Sequence, residues 1–127
     1  MLRRYTHFDY GIITEWARAR QFPVLPQEFL PATGLIHEGH CVGFLYGTDS
    51  KICWMEWIIS NPNSKSSERN TAMNELLDGL IEEAKRQGFL IMFSSVEAAN
   101  KKLTDRYGSK GFVMTDTGMN NMIKDLR

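Results

Sequence analysis

The residues from Lys51 to Ser95 constrain the fold more than any other part of the sequence. They contain two apolar runs, "KICWMEWIIS" and "FLIMFSS", separated by a long helical pattern. Both runs are apolar at odd and even positions alike, which is typical of strands buried on both faces of a sheet. A buried strand, a helix and a second buried strand in series make a right-handed crossover, so the two strands are predicted to be parallel.

The pattern between these strands predicts an amphipathic helix from about Ser67 to Gln87, with Gly88 as its end. One stripe of small and aliphatic side chains runs along it, which lets the helix cover one face of the sheet. The stripe consists of Ala72, Met73, Leu76, Leu77, Leu80, Ile81 and Ala84.

The other segments extend this unit into a mixed sheet. "LRRYT" predicts a first strand, and Asp9 can cap a helix that ends before Pro23. "TGLIHEG", "HCVGFLYGT" and the run from Lys51 predict an antiparallel three-strand meander. "AANKKLTDRYGSKGF" predicts a short helix, and "FVMTDTGMNNMIKDL" predicts two final strands. The predicted fold class is α/β (α+β), with a mixed central sheet of six to seven strands and helices on both faces.

Length and charge narrow the functional classes. A chain of 127 residues is predicted to form one domain, 1–127. Its 15 basic and 15 acidic residues give no basic surface, which disfavours nucleic acid as a partner. No window reaches the roughly 18 apolar residues of a membrane span, and the start lacks a signal pattern. We therefore expect a cytoplasmic protein without a membrane partner.

Side chains for metal binding or covalent catalysis are few and scattered. Cys41 and Cys53 fall in neighbouring predicted strands, too far apart across the turn to bridge, so we expect two free thiols. Neither has a neighbouring group that suggests a nucleophile. The histidines lack the third and fourth ligands of a zinc site, and no metal is predicted. They are His7, His37 and His40.

Glu56 is the one charge inside the strand that starts near Lys51. Burial would raise its pKa and suit it to act as a general base. The alternative is a carboxylate that reaches solvent at the sheet surface or pairs with an arginine. Trp54 and Trp57 are predicted on opposite faces of this strand, which favours core packing over a stacking platform.

The connection "SNPNSKSSERN" has the architecture of an anion site. The first four N–H groups of a helix lack intrahelical partners, and the helix dipole adds about half a positive charge there. Lys65 and Arg69 can add charge-assisted contacts to phosphate oxygens. The alternative is that Ser66 or Ser67 simply caps the helix and that both basic side chains are solvated.

Two motifs resemble the GCN5-related N-acetyltransferase (GNAT) superfamily, and the element order extends the resemblance over essentially the whole chain. "NKKLTDRYGSKGF" is similar to the family's C-terminal signature, and "WIISNP" before a long helix is similar to its acyl-CoA-binding strand and pyrophosphate loop. More narrowly, "TDSKICWMEWIISNP", "SSERN" and "VMTDTGMNNMIKDL" resemble small GNAT-like proteins encoded by tailed bacteriophages.

The pyrophosphate loop departs from the family pattern. Family members carry Arg or Gln, two residues, Gly, one residue, then Gly or Ala. Aligned on Leu76 and Leu77, the small positions fall near Thr71 and Met73, and a shift of one leaves Ala72 as the only small residue. Thr71 or Met73 would block close approach of a phosphate unless the chain turns them away.

The resemblance implies acyl transfer from acetyl-CoA, or another acyl-CoA, to an amine without a metal. Such a transfer removes a proton from the amine, stabilises an oxyanion and protonates the leaving thiolate. Glu56 would be the base, and Tyr107 matches the family's general acid, with aromatic packing as the alternative. Implied coenzyme contacts are Ile58, Ile59, Ser60, Lys65, Ser67, Arg69, Asn70, Thr71, Ala72 and Asn100. Asn100 can equally be an ordinary helix cap.

Two functions therefore remain open from the sequence. The first is an acyl-CoA-dependent N-acyltransferase whose acceptor amine is a small molecule or a protein. The second is a GNAT-fold protein without catalytic activity, an interaction protein such as a phage accessory or virion protein in the host cytoplasm. Open sheet edges permit a homodimer under either function.

Overall fold

A computed structural model describes residues 1–127. The chain divides into two compact units, residues 1–95 and 96–127. The single domain expected from the length stays a prediction.

The first unit contains all the strands and two of the helices. Its sheet has the order β1-β2-β3-β4-β5. The first four strands pair antiparallel, and β4 pairs parallel with β5. The predicted meander and the parallel pair across the long helix are thus confirmed. The elements are β1 Leu2–Arg4, α1 Tyr10–Ala19, β2 Gly34–His37, β3 Cys41–Gly47, β4 Ile52–Ser60, α2 Ser66–Arg86 and β5 Ile91–Phe93, with 3-10 turns at His7–Asp9 and Gln27–Phe29.

Helices cover both faces of this sheet. On one face, Val42 and Phe44 of β3 pack in a buried cluster with Ile13 and Trp16 of α1. On the other face lies Gly43, where an added Cβ would come within 2.9 Å of Leu80 Cδ1 from α2. Side chains alternate along a strand, so even-numbered residues of β3 face α1 and odd-numbered ones face α2. Apolar residues occur at both odd and even positions of the strand segments because helices cover both faces of the sheet.

The sheet has five strands, fewer than the six to seven predicted. The two final strands are missing, because no strand follows Phe93. In the segment predicted to form them, Met119, Met122 and Ile123 are exposed. Short strands gain stability from burial of one face rather than from local propensity. Isolated apolar residues among Asp, Asn and Thr do not form such a face.

The second unit contains the short helix predicted from "AANKKLTDRYGSKGF". This helix, α3, spans Lys101–Ser109. The Asn100 side chain accepts a hydrogen bond from the Leu103 N–H at 3.1 Å, so Asn100 is a helix N-cap. Tyr107 is buried, and its ring lies 5.1 Å from that of Phe112. The ordinary capping role open to Asn100 is therefore observed.

Both cysteines are buried free thiols, as predicted. Cys41 pairs with Ser60 at one end of the β3–β4 ladder, and Cys53 pairs with Gly47 at the other. The ladder thus holds the two sulfurs near opposite ends of a strand pair. No disulfide between them is compatible with this sheet.

Candidate functional site

The register between β3 and β4 changes at Trp57. Val42 pairs with Ile59 while Phe44 pairs with Glu56, so β4 carries one extra residue. Trp57 has φ 57°, in the left-handed region where a non-glycine residue costs about 1–3 kcal/mol. A bulge of this kind bends the strand and re-aims side chains, often beside a functional site.

The bulge places two tryptophans on one face, against the sequence prediction. Trp54 pairs with Tyr46, whose side chain packs against the α1 cluster, and Trp57 packs against the same cluster. Strict alternation would have separated two residues three positions apart. Because the bulge inserts one residue between them, both face α1.

The two parallel strands separate just before the bulge. Their ladder ends where Trp54 pairs with Phe93. Beyond it, the Ser94 hydroxyl donates to the Met55 carbonyl at 2.6 Å, and the Ser95 N–H donates to Glu56 Oε1 at 2.9 Å. From Trp57 to Ser60, β4 therefore has no ladder partner on its β5 side. We call this gap the β4–β5 opening.

Glu56 lies at the start of the β4–β5 opening. Its side chain is half-buried, and burial raises the pKa of its carboxyl group. The hydrogen bonds from Ser95 act in the opposite direction. Burial also raises the pKa of Tyr46, and the charge of Glu56 adds to that rise. A half-buried carboxyl with a raised pKa is a better proton acceptor than an exposed glutamate.

Two guanidinium groups hold the connection between β4 and α2. Arg20, just after α1, donates to the Ser60 carbonyl at 2.9 Å and to the Ser60 hydroxyl at 2.7 Å. Arg69 Nη1 donates to the Ser64 carbonyl at 2.8 Å. Burial lowers the pKa of Arg20, and the charge of Arg69 lowers it further. The carbonyl groups of this connection therefore turn toward two positive charges.

The amino-terminal end of α2 has no side-chain cap. The helix begins at Ser66, and its N-cap is Lys65, which makes no capping hydrogen bond through its side chain. The capping role considered for Ser66 or Ser67 is therefore wrong. Leaving the first-turn N–H groups without a side-chain cap keeps the donor end of the helix dipole available to an anion.

The side chains expected to block that end are turned away from it. Met73 is 8% exposed and Ala72 is 1% exposed, so both face the protein interior. The Thr71 hydroxyl donates to the Ser67 carbonyl at 3.2 Å, which holds it against the helix. Ala72 and Met73 therefore leave the first-turn N–H groups of α2 uncovered, and Glu68 is the acidic residue of that turn.

The predicted site residues fall into two groups. Those of β4, its connection and the start of α2 lie together along one path in the first unit. Asn100 and Tyr107 belong to the second unit. The first group consists of Glu56, Ile58, Ile59, Ser60, Lys65, Ser67, Arg69, Asn70, Thr71 and Ala72.

Sequence reasoning missed three residues that shape this path. Arg20 is 40 positions from its partner Ser60, and no local pattern marks the contact. Ser95 binds Glu56 across 39 positions. His40, in the β2–β3 turn, hydrogen-bonds the Ser64 hydroxyl. All three contacts depend on the pairing of distant strands and helices.

Two other kinds of feature have no counterpart in the structure. Nowhere do three or more His, Cys, Asp or Glu side chains come together as ligands for a metal ion. None of the helices combines the length and apolar character needed to cross a bilayer.

Known structures share this fold. The ribosomal-protein-S18-alanine N-acetyltransferase of Escherichia coli matches with a TM-score of 0.71 and 19% identity, covering 91% of this chain and 79% of that one. Rv2747 of Mycobacterium tuberculosis, in complex with CoA, matches with a TM-score of 0.73 and 13% identity, covering 94% and 76%. An aminoglycoside acetyltransferase from an uncultured soil metagenomic sample matches with a TM-score of 0.67 and 12% identity, covering 98% and 96%.

These similarities establish the fold. No protein-family model matches the sequence, and no curated protein sequence matches it either. At identities of 12% to 19%, the resemblance to acetyltransferases lies in the backbone rather than in the side chains. The chain has a GNAT-type fold with a five-stranded mixed sheet.

Proposed function

We propose that this protein is an acyl-CoA-dependent N-acyltransferase that transfers an acetyl group to an amine. The observation that carries the proposal is the β4–β5 opening with Glu56 at its start. It places a proton-accepting carboxyl beside a stretch of β4 whose backbone groups have no ladder partner on that side. One structural neighbour is an N-acetyltransferase and another was solved in complex with CoA, and both support the same class of reaction.

In this proposal the first turn of α2 and its basic side chains bind the pyrophosphate. Lys65 and Arg69 provide positive charge, and the uncapped N–H groups provide donors. Acetyl-CoA supplies the activated acyl group as a thioester. The backbone of Ile58, Ile59 and Ser60 would orient that group, because this stretch of β4 has no ladder partner on its β5 side.

Glu56 takes the general-base role. Its raised pKa allows it to accept the proton that an ammonium group must lose before the amine can attack. Tyr107 takes the general-acid role on the basis of the family resemblance. Its hydroxyl would return a proton to the departing sulfur, which is a weak acid and leaves more readily as a thiol.

Thermal unfolding with CoA and with acetyl-CoA tests the proposal. Ligand at about 100 times its dissociation constant adds roughly 2.7 kcal/mol of stability. For a domain of this size that corresponds to an increase in Tm on the order of 10 °C. An unchanged Tm at millimolar coenzyme would overturn the proposal.

Arg69→Ala is expected to weaken CoA binding about 10-fold, because it removes a charged donor worth about 1.5 kcal/mol or more. The variant also loses the hydrogen bond to Ser64 that supports the connection. Calorimetric titration with CoA measures the affinity, and Arg69→Lys separates loss of charge from loss of the guanidinium contacts. Arg18→Ala, on the exposed side of α1, is the matched control. Equal CoA affinities in the Ala variant and the parent would mean that Arg69 supports the β4–α2 connection and does not bind the coenzyme.

Tyr107→Phe is expected to lower kcat about 100-fold while CoA affinity stays within twofold. The substitution removes the hydroxyl but keeps the ring that packs near Phe112. Steady-state release of CoA thiol gives kcat, and calorimetry gives the affinity. A parallel loss of both quantities would remove Tyr107 from the acid role.

The alternative of a GNAT-fold interaction protein, including a phage accessory or virion protein, gains no support from the geometry. Its motivation was a loop that lacked glycine. The uncapped start of α2 at Lys65 and the inward orientation of Met73 weigh against that motivation. Purified protein that carries no bound coenzyme in native mass spectrometry, together with an unchanged Tm on coenzyme addition, would restore this alternative.

A further inference from the structure

A row of three aromatic side chains crosses the sheet beside the β4–β5 opening. Tyr46 of β3 pairs with Trp54 of β4, and Trp54 pairs with Phe93 of β5. Residues paired across strands point to the same side of the sheet. The rings of Trp54 and Phe93 lie 4.9 Å apart at an angle of 30°. We call these three side chains the aromatic row.

The aromatic row is accessible. Trp54 is 40% exposed, and Tyr46 and Phe93 are partly buried. The Tyr46 hydroxyl donates to the Phe29 carbonyl at 3.0 Å, which fixes the orientation of its ring. A large aromatic side chain left this exposed in the middle of a sheet presents apolar area without using it in the core.

Glu56 lies on the same face as the aromatic row, two residues beyond Trp54 along β4. Two residues of strand span about 7 Å. Glu56 is also close enough to Tyr46 to affect it electrostatically, because the Glu56 charge raises the pKa of the Tyr46 hydroxyl. A carboxylate and an accessible aromatic surface therefore lie at a fixed separation on one side of the β4–β5 opening.

A carboxylate next to an aromatic surface favours one class of amine. The carboxylate attracts an ammonium group, and the rings favour an aromatic group through stacking and a cation through its charge. An amine joined to an aromatic ring by a short alkyl linker can contact a carboxylate and a ring that project from the same face of β4 two residues apart. An amine without a ring leaves the aromatic row in contact with water.

We propose that the acceptor is a small arylalkylamine, with its nitrogen at Glu56 and its ring on the aromatic row. This inference rests on the acyltransferase function proposed above, and it specifies the substrate class of the same site. A lysine side chain of a protein offers only an aliphatic stem and meets the row less well.

Acetyl transfer from acetyl-CoA to three amines tests the inference, with thiol release as the readout. The amines are 2-phenylethylamine, ethylamine and Nα-acetyl-lysine amide. We expect kcat/KM for 2-phenylethylamine to exceed that for ethylamine by about 100-fold, as the apolar area of a ring predicts. Equal values for the three amines, or a preference for the lysine derivative, would overturn the inference.

Trp54→Ala gives the residue-level test. It is expected to raise KM for 2-phenylethylamine about 10-fold, with kcat within twofold and ethylamine kinetics unchanged. Trp54→Phe should restore most of the affinity. Phe22→Ala is the matched control, since Phe22 is 41% exposed and lies outside the row. A merely structural role for Trp54 would affect all the amines alike and would overturn the inference.

These experiments distinguish a wrong acceptor class from a wrong acyltransferase function. Coenzyme-dependent stabilisation together with turnover of ethylamine or the lysine derivative, but not of 2-phenylethylamine, overturns only the acceptor class. Absence of both coenzyme binding and turnover overturns the acyltransferase function itself, and the acceptor class with it.

Discussion

Glu56→Gln is expected to lower kcat by about 10²–10⁴-fold while CoA affinity stays unchanged. Glutamine keeps the size of the side chain and an oxygen that can accept the Ser95 N–H bond. It cannot take a proton from the acceptor ammonium. Steady-state thiol release and coenzyme titration measure the two quantities separately. Glu15→Gln, at an exposed position of α1, should match the parent in both.

The pH profile of the parent enzyme checks the same role. A general base works only when ionised, so kcat/KM rises with pH through the pKa of Glu56. Burial raises that pKa, so the rise is expected at higher pH than for an exposed glutamate. The Glu56→Gln variant should lack this limb of the profile. If kcat/KM of the variant rises at the same pH as that of the parent, the ionisation belongs to another group.

Stability should not account for the loss of activity in this variant. A carboxyl whose pKa is higher in the folded state than in the unfolded state contributes stability below the unfolded pKa. That contribution is lost as the pH rises through the folded pKa. Above its folded-state pKa the ionised Glu56 therefore gives no advantage to the folded state, and Glu56→Gln should then unfold at the same Tm as the parent or above it. A large fall in Tm would make the kinetic loss uninterpretable as chemistry.

Phe44→Ala is expected to destabilise the protein by about 3–5 kcal/mol, because it leaves a cavity in the centre of the α1 face. Phe44 is fully buried, and its ring packs edge-on against Tyr5 at 4.9 Å. The ring also fills the space above Gly34, where an added Cβ would lie 2.7 Å from it. Denaturant unfolding gives the free energy.

The control for this variant is Phe8→Ala. Phe8 is 84% exposed, and truncating it should change stability by less than about 0.5 kcal/mol. In thermal unfolding, a loss of 3–5 kcal/mol corresponds to a fall in Tm on the order of 10–20 °C. A loss below about 1 kcal/mol for Phe44→Ala would mean that the α1 face does not depend on this ring.

Most of the fold was predictable because its signals are local. The apolar parity of β4, the stripe of α2 and the turn after Gly47 identify the meander, the crossover and both helix-covered faces. The number of strands was not predictable. The segment after Phe112 alternates weakly, and whether such a segment pairs depends on a partner and a buried face, neither of which its own residues specify.

Local sequence signals likewise predict one part of the candidate site and miss the other. Glu56 stands out in the sequence as a charge inside an apolar strand, and the loop before α2 stands out as an anion site. The contacts of Arg20 and Ser95 cross about 40 positions and leave no local trace. Met73 points into the interior, the exception that the sequence left open, because residue type alone does not fix which way a helical side chain points.

The sequence by itself determined the strands and helices from β1 to α3, that helices cover both faces of the sheet, and that the one carboxylate of β4 is unusual. Local periodicity encodes these features, because each depends on side chains only a few positions apart. Only the tertiary structure decided where β4 bends, which face Trp57 takes, and that β4 and β5 separate beside Glu56. Those features arise from register between distant strands, which the free energy of the whole packed sheet selects.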